Sequence, residues 1–451
     1  MKTDSPNPFQ NRLREKLVES LTAPIPSGTR RRIYGAVCLP GKISAVIGIR
    51  RAGKTMFVHQ MQRERLAEGM AREQLPYINF EDERLAGLKA EHLHTLIEEY
   101  YRRYPGFRNR ETVLWCFDEI QTVPGWERFV RRLLDSEEVE LFVSGSSAAL
   151  LSREIATALR GRAWEVVLHP FSLEEALRHN GQPLPAQPDF IDNPSRSSLE
   201  NFFLDYLVRG GFPEVQGLDT ATRYQLLQDY VDVAMLRDVV ERHAVSNVTG
   251  LRWLVRHLLS NAAGLFSVEK FYRALKSQGI AISKDSVHHF LGYLNDCFLI
   301  RTVWMEATSE RQRMVNPRKV YPVDPGLIPV FDRTGRSNTG HALETAVLVE
   351  LERRKAEISY VKTQKGFEVD FLARYPTGEM DLIQVCTDAR NPDTSQRELR
   401  ALVEAGNLFP KARKVLLTLT MDGIPRETPP DVSAQPAYVW MLMPLQNGGS
   451  S

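Results

Sequence analysis

Short apolar runs alternate with helix-like segments over the first third of the chain. The runs lie at residues 43–47, 76–80, 113–117 and 139–143; the run at 113–117 is fully apolar, the others are mostly so, and each has the length of a strand. The segment that begins near Lys54 places Phe57, Val58 and Met61 at helical spacing. This alternation predicts an α/β fold in which helices cover both faces of a parallel sheet.

The pattern changes after a proline-rich stretch at 182–194, which is typical of a linker. Residues 199–265 are mostly helical in pattern. An amphipathic segment at 267–279 and a helix that Ser283 can cap then precede an extended stretch at 298–305. The order of helix, turn, helix and strand resembles a winged helix-turn-helix. We therefore predict a helical and winged-helix region at 195–330.

A second α/β pattern begins near residue 340. Leu343, Val347 and Leu351 lie on one face of a predicted helix, and strand candidates follow at 359–363, 368–374 and 380–386. Another helix and two apolar strands, 415–420 and 437–443, complete the pattern. We predict three domains, at 1–180, 195–330 and 335–446.

Composition and charge make several classes of protein less expected for this chain. Of 451 residues, 43% are apolar and 25% charged, and the formal net charge is +2, which does not by itself indicate nucleic acid as a partner. The four cysteines lack CxxC spacing, so neither a zinc site nor a disulfide framework is expected. No apolar run reaches the roughly 18 residues of a membrane span. We expect a soluble cytoplasmic protein with no membrane partner.

One motif indicates nucleotide binding. The sequence GIRRAGKT at 48–55 fits GxxxxGK[ST], follows an apolar strand and opens a helix, which makes a chance glycine-rich turn the weaker interpretation. Backbone N–H groups of such a loop surround phosphate oxygens. We expect Lys54 to reach the β- and γ-phosphates and the Thr55 hydroxyl to ligate Mg²⁺.

A second motif follows about sixty residues later. The sequence VLWCFDE at 113–119 places two acids directly after a buried strand. Asp118 is expected to hold the magnesium ion with Thr55, and Glu119 to polarise the attacking water as a general base. The alternative is a strand followed by a solvated acidic turn. The predicted catalytic residues are Lys54, Glu119 and Arg162.

Two further polar segments are candidates for the same site. Ser144, or else Ser146, follows the fourth strand and could sense the γ-phosphate, although a simple polar turn explains these serines as well. Arg162, in LRGR at 159–162, could stabilise transition-state charge in this chain or a neighbouring one; the alternative is a surface-loop arginine. The residues predicted to bind the nucleotide are Gly48, Arg50, Arg51, Ala52, Gly53, Lys54, Thr55, Met56, Asp118 and Ser144.

With these motifs in place, the chain resembles the bacterial and archaeal AAA-type ATPases that carry a DUF4143 C-terminal region. The resemblance covers most of the chain. Its motifs are GIRRAGKT at 48–55, YINFEDERL at 77–85, FDEIQ at 117–121, SGSSAALL at 144–151, LRGR at 159–162, HPFS at 169–172, GGFPE at 210–214, LRDVVER at 236–242 and KVYPVDPGL at 319–327. It implies ATP as the nucleotide, with Mg²⁺.

The resemblance also implies a C-terminal domain similar to PD-(D/E)xK nucleases. Glu344 and Asp370 stand at two positions of that motif, but Gln384 and Cys386 stand where the motif needs Glu and Lys. We therefore expect a degenerate domain without nuclease activity.

DNA is a second candidate partner. The second helix of the winged-helix region offers Lys284, His288 and His289, with Arg301 just beyond, which is not a strongly basic face. Winged helices also serve as protein–protein modules.

Three functions remain open from the sequence. The first is an ATPase whose cycle drives a conformational change, and the second is a slow ATP-gated switch. The third is a DNA-acting regulator or nuclease. Double-stranded DNA, a protein partner and self-association are all candidate interactions.

Overall fold

The computed structural model describes residues 8–145, 159, 161–332 and 338–444. The chain divides into two compact units, Met1–Leu168 and His169–Ser451. This division precedes the proline-rich stretch at 182–194, which lies inside the second unit. The three-domain division stays a prediction.

The described part of the first unit contains five strands and four α-helices. The strands β1–β5 are Ile43–Ile47, Tyr77–Asn79, Val113–Asp118, Val139–Ser144 and Ala163–Val167. The helices α1–α4 are Gln10–Thr22, Lys54–Ala67, Leu93–Arg103 and Trp126–Ser136. All pairings are parallel and the strand order is β2-β3-β4-β1-β5.

The sheet of the first unit brings the two sequence motifs together. Every residue of β1 and β3 is buried, because a parallel sheet carries helices on its faces. Only β4 lies between β3 and β1. Since parallel strands end at the same edge, the segments that follow Ile47 and Phe117 are neighbours. This confirms the predicted α/β fold with a P-loop-type sheet.

The second unit joins a helical region to a mixed sheet. Its helices α5–α15 are Leu173–His179, Asn193–Arg209, Thr220–Val233, Val248–Ser260, Val268–Ser277, Lys284–Asp296, Glu310–Val315, Leu327–Phe331, Thr339–Arg353, Pro392–Leu408 and Ala437–Leu442. A π-helical segment, Ala234–Glu241, continues α7. The strands β6–β13 are Leu265–Phe266, Ile300–Met305, Arg318–Pro322, Glu357–Lys362, Glu368–Arg374, Met380–Cys386, Arg413–Thr418 and Val432–Pro436. None of the helices described in the chain has the length and apolar character needed to cross a membrane.

The eight strands described for this unit form one sheet in the order β13-β12-β11-β10-β9-β7-β8-β6. Strands β6, β7 and β8 pair antiparallel; β8 packs with α8, and β7 packs with α10. The parallel contact between β7 and β9 joins them to the C-terminal strands. Strand β10 has antiparallel neighbours on both sides.

The predicted strand at 437–443 is wrong. Residues Ala437–Leu442 form helix α15, and Ala437 to Met441 are all buried. A short run that is apolar on every side fits a buried helix as well as a buried strand, so periodicity could not separate the two. The preceding strand, Val432–Pro436, ends at a proline.

Two of the quoted motifs form a structural joint in the second unit. The Asp324 carboxylate accepts hydrogen bonds from the backbone N–H groups of Gly211 at 2.7 Å and Gly326 at 2.9 Å. A Cβ at Gly210 would lie 1.8 Å from Oδ1 of Asp324. The GGFPE and VDPGL sequences therefore serve packing at this point.

Candidate functional site

The loop after β1 has the shape of a phosphate-binding loop. Gly48 has φ of +146°, and a Cβ there would lie 2.1 Å from the carbonyl oxygen of Leu168. Gly53 has φ of +93° directly before α2, whose N-terminus has no side-chain cap. The loop thus requires glycine at both positions and leaves the first N–H groups of α2 for an anion.

Lys54 lies inside this loop. Its ammonium donates hydrogen bonds to the carbonyl oxygens of Gly48 at 3.1 Å and Ile49 at 3.0 Å, and the residue is only 6% exposed. These contacts hold the positive charge over the loop. Phosphate oxygens that enter the loop would meet this ammonium.

Asp118, at the end of β3, is the centre of a hydroxyl cluster. Its Oδ2 accepts from Thr55 Oγ1 at 2.8 Å and from the Tyr77 hydroxyl at 2.7 Å. Its Oδ1 accepts from the Ser144 hydroxyl. Asp118 is 2% exposed and Ser144 is fully buried. The predicted residues Thr55, Asp118 and Ser144 are therefore brought together on adjacent elements.

This cluster fits a magnesium ion. Thr55 and Asp118 present hard oxygen donors beside a phosphate loop, the combination with which Mg²⁺ is bound in nucleotide sites. Among the described residues no group of three or more His, Cys, Asp or Glu side chains is placed to hold a metal. A cation here would depend on one carboxylate, one hydroxyl, phosphate and water, as Mg²⁺ commonly does.

Glu119 follows in a strained conformation. Its φ of +52° and ψ of +38° are left-handed, which is uncommon for a residue with a side chain. Burial raises the pKa of Glu119, although Lys54 and a hydrogen bond from Gln121 oppose this rise. A carboxylate with a raised pKa is a better base towards water than an ordinary one.

The remaining loop residues differ in exposure. Ala52 is fully buried, Arg50 and Met56 are half-buried, and Arg51 is exposed with φ of +65°. Ser146, the other serine considered, lies outside the described residues.

The structure does not bring Arg162 to the loop. Its carbonyl oxygen accepts the backbone N–H of Ile43, the first residue of β1, and its guanidinium pairs with Asp135. The P-loop follows the last residue of β1, so Arg162 lies at the opposite edge of the sheet. The interpretation of Arg162 as a residue of its own chain's site is wrong, and the interpretation that it serves a neighbouring chain stays a prediction.

Two residues beside the site were not predicted from the sequence. Tyr77 lies on β2 and reaches Asp118, although the YINFEDERL motif gave no sign of this role. Arg31 is 6% exposed and donates to the carbonyl oxygen of Ala52 in the loop at 2.6 Å. The Gln60 side chain holds the Arg31 backbone through its N–H at 2.7 Å and its C=O at 3.0 Å. A run of three arginines at 30–32 was the available signal.

The predicted nuclease-like centre is only partly assembled. Glu344 and Asp370 both contact the ammonium of Lys319. Gln384 donates to Glu398 at 2.7 Å, and Cys386 donates to the carbonyl oxygen of Asp388.

The residues considered for DNA contact differ in their solvent exposure and in their ion pairs. His288 and His289 are exposed, and Lys284 pairs with Glu269. Arg301 pairs with Glu352 at 2.9 Å and its side chain is 11% exposed. Arg301 is therefore an internal ion-pair residue, which corrects its expected place on a DNA-facing surface.

Family models match two regions of the chain. A model described as AAA domain matches residues 40–177, and one described as domain of unknown function DUF8612 matches residues 200–337. The first match covers the P-loop and the Asp118 cluster, so the first unit belongs to the class of AAA-type P-loop ATPases. The expected DUF4143 label is not confirmed.

The sequences of two related proteins align with most of the chain. The uncharacterized protein MJ1544 of Methanocaldococcus jannaschii is 33% identical over 373 residues, which cover 81% of this chain and 79% of that protein. An uncharacterized protein of Haemophilus influenzae is 28% identical over 333 residues, covering 74% and 79% of the two chains. The chain belongs to the same family as the Methanocaldococcus jannaschii protein.

The chain also aligns with solved structures. The Walker-type ATPase PABY2304 of Pyrococcus abyssi aligns over 71% of this chain and 95% of its own, at 17% identity and a TM-score of 0.38. The ADP form of the ORC2 protein of Aeropyrum pernix aligns over 71% and 91%, at 13% identity and a TM-score of 0.32.

Proposed function

We propose that the protein is a magnesium-dependent ATPase that couples hydrolysis to a conformational change. The observation that carries the proposal is the cluster around Asp118, which accepts hydrogen bonds from Thr55, Tyr77 and Ser144 at the edge where the P-loop lies. The buried Lys54 and the strained Glu119 complete the set of groups that phosphoryl transfer needs.

Each side chain has a defined task in this proposal. Loop N–H groups and Lys54 bind the phosphate oxygens and offset their charge. Thr55 and Asp118 would hold Mg²⁺, which draws charge from the β- and γ-phosphates when bound. Tyr77 and Ser144 fix the orientation of the Asp118 carboxylate. Glu119 accepts a hydrogen bond from the attacking water and takes its proton as the water attacks the γ-phosphorus, while the bond from the γ-phosphorus to the β,γ-bridging oxygen breaks and ADP leaves.

The coupling is proposed to start at Asp118. The hydroxyl of Ser144 and the hydroxyl of Thr55 bind different oxygens of this carboxylate. A bound magnesium ion and γ-phosphate would compete for these groups, so the position of β4 would depend on whether the γ-phosphate is present. Ser144 is thus the proposed γ-phosphate sensor.

The variant Lys54→Ala tests the site. Phosphate release from ATP should fall to background, and ATP binding with magnesium should weaken at least tenfold, because the loop loses its cation. Lys365→Ala is the matched control, since Lys365 is exposed and pairs with Glu404 in the second unit. If Lys54→Ala and Lys365→Ala hydrolyse ATP equally, the loop is not the hydrolytic site. If the wild type binds ATP without turnover, the ATP-gated switch is the better description.

A DNA-binding role for the second unit is a second proposal. Its supporting observation is that α9 packs against α10 and that strands β6, β7 and β8 pair antiparallel, which is the combination of elements expected of a winged helix. Helix α10 exposes His288 and His289 and carries Lys284 in its first turn. A gel shift with duplex DNA over a salt series tests this, because phosphate contacts are strongest at low salt. No shift at low salt would remove DNA from the candidate partners.

A further inference from the structure

A lysine lies at the centre of the acidic cluster in the second unit. The ammonium of Lys319, on β8, is 2.9 Å from Asp370 Oδ1, 3.0 Å from Glu368 Oε1 and 3.1 Å from Glu344 Oε1. The Lys319 side chain is 5% exposed, and those of Asp370 and Glu344 are 11% and 13% exposed. One buried ammonium thus forms ion pairs with three carboxylates, two on β10 and one on α13.

Neighbouring groups fix the same carboxylates. The hydroxyl of Tyr321 donates to Glu344 Oε1 at 2.6 Å, and the backbone N–H of Val385 donates to Asp370 Oδ2 at 3.0 Å. Gln384 accepts the backbone N–H of Asp370 at 3.3 Å while it donates to Glu398. Hydrogen bonds therefore hold the carboxylates of this centre in place, and the Lys319 ammonium is the cation between them.

Electrostatics keep this ammonium charged. Burial opposes the charged form, but Asp370, Glu344 and Glu368 outweigh it and raise the pKa of Lys319. A metal ion bound by the same oxygens would lie beside a second buried cation, where a low dielectric makes like charges repel strongly. The residues present do not fit a metal while Lys319 stays in place.

We propose that the Lys319 ammonium is the built-in cation of this centre: it takes the position that a divalent metal ion would hold on Glu344, Glu368 and Asp370, so the domain keeps an acidic centre without metal and does not cleave nucleic acid. The centre is then a latent divalent-cation site, which opens to hard cations such as Mn²⁺ only when the ammonium is removed. This inference does not depend on ATP hydrolysis.

The test is Mn²⁺ binding without nucleotide, read from the loss of the free Mn²⁺ paramagnetic resonance signal and from thermal unfolding. The variants are Lys319→Met, Lys319→Arg, Asp370→Asn and the double variant Lys319→Met with Asp370→Asn. We expect Lys319→Met to bind one more Mn²⁺ than the wild type and to melt at a higher temperature with Mn²⁺ than without it. Lys319→Arg should behave as the wild type, and the double variant should lose the gain.

Two results would overturn the proposal. One is a folded Lys319→Met protein that binds no additional Mn²⁺. The other is wild-type protein that binds Mn²⁺, or cleaves plasmid DNA with it, in a way that Asp370→Asn abolishes. The second comparison needs no Lys319 variant, so the proposal can fail even if Lys319→Met does not fold. Wild type and Asp370→Asn that bind equally little Mn²⁺ would support it.

Discussion

The hydroxyl of Tyr77 donates a 2.7 Å hydrogen bond to the same oxygen of Asp118 that accepts Thr55 Oγ1 at 2.8 Å. Tyr77 comes from β2 and Thr55 from the first turn of α2, so the carboxylate is held from two sides of the sheet edge. We infer that Tyr77 positions the carboxylate proposed to bind magnesium, without itself touching the nucleotide.

Replacing Tyr77 with Phe should weaken the use of magnesium more than the binding of ATP. A hydrogen bond to a charged group contributes about 1.5–3 kcal/mol, so the Mg²⁺ concentration for half-maximal turnover should rise roughly tenfold. Magnesium titration of phosphate release at saturating ATP measures this.

Tyr100→Phe is the control for that variant. The Tyr100 hydroxyl donates to the carbonyl oxygen of Glu73 at 3.0 Å, in the same unit but away from Asp118. Equal magnesium titrations for the two variants would show that Tyr77 has no positioning role.

Gly48→Ala should abolish ATP binding. A Cβ at this position meets the carbonyl oxygen of Leu168 at 2.1 Å, so the backbone of the loop must move. Gly69→Ala is the matched control, because Gly69 also has positive φ, +102°, but open space around the added Cβ. Gly69→Ala should lose about 1–2 kcal/mol of stability and keep its ATP affinity. Fluorescence titration with an ATP analogue compares them, and normal affinity in Gly48→Ala would contradict the loop geometry.

Arg162→Ala should leave turnover within about twofold of the wild type in dilute protein, because Arg162 lies at the edge of the sheet opposite the loop and pairs with Asp135. Turnover measured over a range of protein concentrations tests this. A loss that appears only at concentrations where chains associate would assign Arg162 to a neighbouring chain's site. A tenfold loss at every concentration would contradict its placement.

The burial of Asp324 predicts that the stability of the second unit depends on pH. Burial raises the pKa of Asp324 from 3.8 to about 6, although the N–H groups of Gly211 and Gly326 oppose this rise. Since the folded-state pKa lies above the unfolded-state value, its contribution to the free energy of unfolding is fully present below pH 3.8 and is lost as the pH rises through about 6. The loss should be up to about 3 kcal/mol.

Urea unfolding of the wild type and Asp324→Asn between pH 4 and 7 measures this contribution, because the amide does not titrate. The difference in the free energy of unfolding, wild type minus variant, should fall as the pH rises. A difference that is constant with pH would show that Asp324 has an ordinary pKa in the folded protein.

Features that depend on neighbours along the chain could be predicted from the sequence. Strand Ile43–Ile47 was predicted to the residue because a buried parallel strand is a nearly continuous hydrophobic run, and Lys54 was correctly placed at the start of a helix. Features that depend on strand order could not. Tyr77 reaches Asp118 only because β2 lies beside β3.

The same limit explains the other differences. Nothing in the sequence around Arg162 tells which edge of the sheet it joins, because that depends on where β5 begins. Lys319 meets Asp370 although two strands, β7 and β9, lie between β8 and β10 in the sheet order. A lysine so far from Asp370 in the sequence carries no local signal of the contact.

Glu119 is proposed as the base of an ATP-hydrolysing site, and the variant Glu119→Gln is the sharpest test of this role. Phosphate release and ATP binding with magnesium should be measured on this variant and on Glu404→Gln, an acidic residue of the second unit, as the control. If Glu119 is the base, Glu119→Gln should lose about a hundredfold or more in turnover while it binds ATP as the wild type does. Turnover equal to that of Glu404→Gln, with ATP still bound, would contradict it.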